Sequence, residues 1–297
     1  MPFQTSLATF VARFFRAGAA ALALASAGGL AHAGEVFADA VKSSVLGMDL
    51  RFNVYLPDGY KDGSSRYPVV YLLHGASGDE HDWTRKGGAV ETLDGLIKRG
   101  LMRPSIAVMP SIGPQSWFAD GAVYKMETAL ITELLPYVES RYRTGTARSE
   151  RGIAGLSMGG FGALNLSLRH PQRFCAAGII SPAIYDPLPP DTSAARRAPQ
   201  LMRDGKFDPE LWKALNYPSH LEAYAKAAQK VPMWIVSGDH DALGIAQMSA
   251  NLYWRILKIQ PKLAELRVID GDHEWMVFRD ALPDTLQYMD RMCAKGG

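Results

Sequence analysis

Gly155-Leu156-Ser157-Met158-Gly159-Gly160 decides how this chain is read. The run has the form G-x-S-x-G, and its two flanks differ in character. Arg151-Gly152-Ile153-Ala154 before it reads as a short buried strand. Residues 160–169 after it read as a helix, with Phe161, Leu164 and Leu168 recurring at helical spacing. A serine on a sharp strand-to-helix turn is lifted clear of the sheet, and small neighbours let the backbone make that turn. The helix N-terminus behind it offers free N–H groups to a developing negative charge. Such a serine needs a base, an acid to orient the base, and an oxyanion hole.

The base must take the hydroxyl proton before serine becomes a useful nucleophile. His273 is the candidate, in Asp270-Gly271-Asp272-His273-Glu274-Trp275 just after the last predicted strand, where a loop can carry its ring back over Ser157. The other histidines are placed less well. His81 and His220 lie in polar loops, and His170 precedes Pro171 at a helix end. His240 stands between two aspartates. His74 closes a strand but precedes the nucleophile, and suits a role in turning the backbone.

The acid is expected after the strand 233–236, in Ser237-Gly238-Asp239-His240-Asp241, to hold the imidazole in one tautomer and stabilise the imidazolium. Two aspartates compete there. Asp241 is preferred, because Asp239 is closer to the strand end and better placed to brace the turn. Asp270 and Asp272 are too near His273 in the chain to reach its far nitrogen easily. For the oxyanion hole, one N–H comes from Met158, the residue after the nucleophile. The other is expected from Ala76 in His74-Gly75-Ala76-Ser77-Gly78. Histidines flanked by carboxylates can also bind zinc or manganese, but neither segment has helical His-to-His spacing, so no metal and no cofactor is expected. Trp83, Trp117, Phe118 and Trp275 fall in loops at the catalytic edge and point to an aromatic or sugar-lined substrate pocket.

Outward from the elbow, residues 38–45 and 50–56 alternate apolar and polar around Gly47, as an antiparallel edge hairpin would. Val69-Val70-Tyr71-Leu72-Leu73 is a continuous apolar run, expected of a strand buried on both faces. Helices are predicted over 88–99, 126–142 (running through Pro136), 245–259 and 285–292. Further strands are predicted over 105–109, 176–180, 233–236 and 266–269. This alternation indicates an α/β fold with a mostly parallel sheet covered on both faces. Residues 181–230 break the pattern with Pro182, Pro187, Pro189 and Pro190 and two short helices, and read as an insertion capping or walling the pocket.

The 297 residues are 47% hydrophobic and 21% charged, which suits one α/β domain over 34–297. Residues 1–33 read as a signal peptide: Arg13 and Arg16, an apolar core over 17–25, then Ala31-His32-Ala33 as a cleavage site. The apolar run is too short for a membrane span, so export to the periplasm or beyond is expected. Loss of the two leader arginines takes the formal charge from +2 to zero, and with no basic run a nucleic-acid partner is not expected. Cys175 enters an apolar strand and is expected as a buried free thiol, as two cysteines do not make a framework.

Taken together, these residues resemble the esterase D-like branch of the α/β-hydrolases, which includes S-formylglutathione hydrolases, feruloyl esterase domains and the antigen 85 mycolyltransferases. The resemblance runs through Leu72-Leu73-His74-Gly75, the loop 116–120, the run 133–139 leading to Tyr142-Arg143, the elbow with Phe161-Gly162-Ala163, and Gly271-Asp272-His273-Glu274-Trp275. Ser116-Trp117-Phe118 stands where a Ser-Phe-Tyr-like run is expected. The resemblance implies the α/β-hydrolase fold, a triad of Ser157, Asp241 and His273 with Ala76 and Met158 as oxyanion donors, and hydrolysis of carboxylic or thiol esters through an acyl-enzyme; the expected partner is a small-molecule or carbohydrate-linked ester. Acyl transfer to a sugar or other alcohol is the alternative, and a non-catalytic carbohydrate- or matrix-binding protein on the same fold is a third reading.

Overall fold

Alternation at the start of the chain produces a hairpin. β1 (Glu35–Ser43) and β2 (Met48–Leu56) pair antiparallel from Glu35 opposite Leu56 to Ser43 opposite Met48. The computed structural model describes residues 33–113 and 115–296. The predicted leader, with Arg13, Arg16, Ala31 and His32, lies outside the described residues apart from Ala33.

β3 (Val69–Leu73) is buried throughout, as its unbroken apolar run requires. Its side chains alternate between two cores. Val69, Tyr71 and Leu73 face one side of the sheet with Phe161, Leu164 and Val138, while Val70 and Leu72 face the other with Leu93, Phe278 and Leu282. After β3 come α1 (Asp82–Arg85), α2 (Ala89–Lys98) and β4 (Ile106–Ser111). β4 runs two residues past its predicted end and includes Pro110. That proline lies beyond the last β3 pair, Tyr71 opposite Val108, so its missing N–H takes no bond from that ladder.

The stretch predicted as one helix over 126–142 is divided. α3 (Met126–Ala129) passes through one π turn, Leu130–Leu134, into α4 (Leu135–Arg141). Pro136 cannot donate to the preceding turn, and the wider turn places it in the first turn of α4, where no donor is needed. From that π turn Glu133 reaches the hairpin tip, accepting from Ser44 N at 2.9 Å, Ser44 Oγ at 2.7 Å and Val45 N at 3.1 Å.

The remainder follows as β5 (Arg151–Leu156), α5 (Met158–Arg169) and β6 (Ala176–Ile180). The two-residue strands β7 (Met202–Arg203) and β8 (Lys206–Phe207), with α6 (Pro209–Leu215) and α7 (Leu221–Lys226), belong to the insertion. Then come β9 (Met233–Gly238), α8 (Ile245–Ile259), β10 (Ala264–Ile269) and α9 (Trp275–Lys295). Among the described residues the main sheet has eight strands in the order β1-β2-β4-β3-β5-β6-β9-β10. β2 is antiparallel to β1 and β4; the other neighbours are parallel. This is the α/β-hydrolase fold. Among the described residues no helix is long and apolar enough to cross a membrane.

Two further expectations are corrected. α9 begins at Trp275, ten residues before its predicted start, and continues through Pro283. Its last turn brings Cys293 beside the start of β6, with Cα atoms of Cys175 and Cys293 5.0 Å apart, and the two form a disulfide rather than free thiols.

The insertion is bonded within itself and, through Asp186, to α8 of the body. The Trp212 indole N–H donates to Tyr185 O at 3.1 Å, Asn216 Nδ2 donates to the same carbonyl at 2.8 Å, and Arg255 pairs with Asp186 at 2.7 Å.

Candidate active site

Glycine at two positions lets the elbow form. A Cβ on Gly155 would stand 2.3 Å from Gly159 O, and one on Gly159 would stand 2.3 Å from Leu73 O, so the turn packs backbone against backbone. Ser157 between them adopts φ 53° and ψ −115°, a conformation a side chain rarely takes. It is held there from both sides. Ser157 N donates to Ile180 O at 2.9 Å, and Ser157 O accepts from Phe161 N at 2.9 Å and Ala183 N at 3.0 Å.

His273 sits in the loop between β10 and α9. Its Nε2 is 2.9 Å from Ser157 Oγ, and its Nδ1 is 2.7 Å from Asp241 Oδ2. With Nδ1–H donating to the carboxylate, Nε2 is left as an acceptor for the serine hydroxyl. The Asp241 side chain is fully buried, and its second oxygen accepts from Leu243 N at 3.0 Å. The edge of the His273 ring meets Phe278 at 5.2 Å between centroids, which limits how far the ring can turn.

The competing carboxylates do other work. Asp239 accepts from Gly271 N at 3.0 Å and pairs with His240 at 2.7 Å, and the backbone bond from Gly271 holds its carboxyl below the ordinary range. Asp272 accepts from His273 N, with Ala242 N as a further donor, and these bonds likewise hold it low. Asp239, His240 and Asp270 bring ligand atoms within 4.8 Å of one another. All three are exposed, with His240 Nδ1 2.7 Å from Asp239 Oδ1 and 3.6 Å from Asp270 Oδ1.

Met158 is the first residue of α5, so its N–H has no acceptor within the helix. Gly75 packs against Ser157, its Cβ position being 3.6 Å from Ser157 Cβ, and Gly75 and Ala76 both line the cleft with Ser157. The turn that presents Ala76 is fastened by His74. This buried imidazole donates from Nδ1 to Gly75 O at 2.8 Å and accepts at Nε2 from Ser111 Oγ at 3.1 Å, while Ser111 Oγ accepts from Gly113 N at 3.1 Å. Burial lowers its pKa, which keeps the ring neutral and able to do both. The sequence suggested a backbone-turning role for His74, but not its partner Ser111, which no motif singles out.

The cleft around Ser157 has a volume of about 490 Å³, within the range of small-molecule sites. Its lining is mixed: Trp117, Tyr185, Ala194 and Leu243 contribute apolar surface, and Asp82, Lys86 and Glu274 contribute charge beside Trp275. Lys86 pairs with Asp82 at 2.8 Å and lies 5.8 Å from the Trp275 ring centre. Of the four aromatic residues expected at the rim, Trp117 and Trp275 line the cleft. Trp83 and Phe118 do not. Trp83 is fully buried beneath Trp275 and donates its indole N–H to Leu73 O at 3.1 Å, and Phe118 packs its ring on His74 at 5.2 Å.

Residues 43–289 match the family described as "Putative esterase". Over 144 residues, 46% of this chain, the sequence is 38% identical to an endo-1,4-beta-xylanase/feruloyl esterase of Xylanibacter ruminicola, and the match spans 20% of that protein's length. The MPT51 antigen of Mycobacterium leprae is 30% identical over 252 residues, covering 79% of this chain and 77% of the antigen. Among solved structures, a ferulic acid esterase superposes with a TM-score of 0.74 at 28% identity, over 88% of this chain and 98% of that one.

Proposed function

The chain belongs to the Esterase family matched over residues 43–289, and from that premise we propose that it is an exported serine hydrolase of carboxylic esters working through an acyl-enzyme on Ser157. The observation that carries the reading is the unbroken line from Asp241 through His273 to Ser157, with contacts of 2.7 and 2.9 Å. His273 Nε2 takes the hydroxyl proton as Ser157 Oγ attacks the ester carbonyl. The new oxyanion is met by the N–H groups of Met158 and Ala76. Collapse expels the alcohol, which takes the proton back from Nε2, and water attacks the acyl-enzyme with His273 again as base. Asp241 stays ionised throughout and stabilises the imidazolium.

The xylanase/feruloyl esterase name of one relative, together with a cleft lined in part by Trp275, Asp82, Lys86 and Glu274, favours an ester whose alcohol is hydroxylated. Export is supported by the leader pattern and by the Cys175–Cys293 disulfide, a bond that persists in oxidising compartments.

Ser157→Ala is the test. The variant is expected to keep its circular dichroism spectrum and melting temperature while losing p-nitrophenyl butyrate hydrolysis and fluorophosphonate labelling. Wild-type turnover in a folded Ser157→Ala protein would overturn the proposal.

A further inference from the structure

Trp117 and Phe118 are consecutive non-glycine residues in the left-handed region, at φ 51° and 49°. L-residues avoid this conformation, and a pair of them persists only where the surroundings hold it. Upstream, Trp117 N lies 3.4 Å from Met158 Sδ, a weak contact. Downstream, the first carbonyl after the pair, Ala119 O, accepts from Gln200 Nε2 at 2.7 Å.

Gln200 comes from the insertion, in the short turn Pro199–Leu201, and is 1% exposed. Its amide is used completely. Nε2 donates to Ala119 O and to Tyr124 O at 2.7 Å each, and Oε1 accepts from Val123 N at 3.1 Å and Tyr124 N at 2.9 Å. Its main-chain carbonyl takes a fifth bond, from Ala122 N at 2.9 Å. The approach is close enough to demand glycine at 121, where a Cβ would stand 2.3 Å from Gln200 O. A single side chain therefore joins the insertion to the loop that carries Trp117 into the cleft.

We propose that Gln200, which does not itself line the cleft, is a positioning residue for substrate selectivity. It fixes the strained Trp117–Phe118 step and so sets the depth of the apolar wall against which the acyl chain lies. The proposal rests on the esterase reading above. It makes the insertion a fixed wall at this point rather than a lid, because a buried amide with every bond filled leaves the two segments one arrangement.

Two variants test it. Gln200→Glu keeps the acceptor for Val123 and Tyr124 but loses both donors, including that to Ala119; Gln200→Leu loses all four side-chain bonds. Each is assayed for kcat and KM on p-nitrophenyl acetate, butyrate and octanoate, for near-ultraviolet circular dichroism in the tryptophan band, and for Tm. The octanoate-to-acetate ratio of kcat/KM is expected to shift about tenfold, chiefly through KM, with a changed tryptophan band. A chain-length profile that overlays the wild type while Tm alone falls would overturn it, as would a uniform loss on all three esters. If Gln200→Leu does not fold, Gln200→Glu decides. The tryptophan band needs no turnover: a wild type inactive on all esters would sink the esterase reading, and an unchanged band in Gln200→Glu would separately sink this one.

Discussion

The carboxylate of Asp272 accepts the backbone N–H of Ala242 at 3.2 Å, so the loop that carries His273 is bonded to the loop that carries Asp241. The same oxygen accepts His273 N at 2.7 Å. Asp241 and His273 are thereby set relative to each other by a residue that touches neither carboxylate nor imidazole. Asp272→Ala is expected to lower kcat by roughly 10-fold through misplacement of the imidazole. Asp272→Asn, which keeps an acceptor oxygen, is expected to retain most activity. Equal losses in the two variants would show that the charge, not the bond, matters.

Asp241 and Asp239 are separated by one residue, and only Asp241 reaches the imidazole. Asp241→Asn is expected to cost about 10⁴-fold in kcat with the fold intact, because the ring is left in the wrong tautomer. Asp239→Asn keeps an oxygen for Gly271 N and is expected to cost less than about 10-fold. Single-turnover measurements on a p-nitrophenyl ester distinguish the two.

The Cys175–Cys293 bond closes a separation of 118 residues. The chain-entropy model then assigns it about 4–5 kcal/mol against the unfolded chain. The double variant Cys175→Ala/Cys293→Ala is expected to unfold at clearly lower urea, with kcat little changed because the bond lies at the start of β6, away from the strand end that holds Ser157. A urea midpoint equal to that of the oxidised wild type would refute this.

Glu127 sits at the base of α3 and is nearly buried. Burial alone would raise its pKa, but bonds from His170 and Arg169, each at 2.7 Å, outweigh it and hold the carboxyl below its ordinary 4.5. A carboxyl depressed in the folded state stabilises above its unfolded pKa, and that contribution is lost as the pH falls through the folded value. Glu127→Gln is therefore expected to lower stability by about 1–3 kcal/mol at neutral pH, with the gap from wild type closing below pH 4.5. Urea denaturation across that range measures it.

Much of the site was legible because its parts are local. The elbow announces itself through glycines, the nucleophile's place between a strand and a helix, and the order of Ser157, Asp241 and His273 along alternating strands. What was not legible depends on direction and distance. Loop membership puts Trp83 and Phe118 near the catalytic edge, but not which way each ring turns, and both turn inward. Cys175 and Cys293 meet only because α9 runs on past residue 292. Gln200 lies in a stretch of irregular composition where nothing marks one glutamine as tied to a loop 81 residues earlier.

The disulfide also has a topological meaning. It closes residues 175–293 into a covalent ring that contains Asp241, His273 and the whole insertion, with Ser157 outside it. The tight turn at Asp204 and Gly205 is exposed and is a natural point of entry for a protease. Cutting there would open the ring into a line without releasing a fragment. The protein clipped at that turn would thus travel as one species on a non-reducing gel, divide in two only on reduction, and keep Ser157, His273 and Asp241 on one connected body in between.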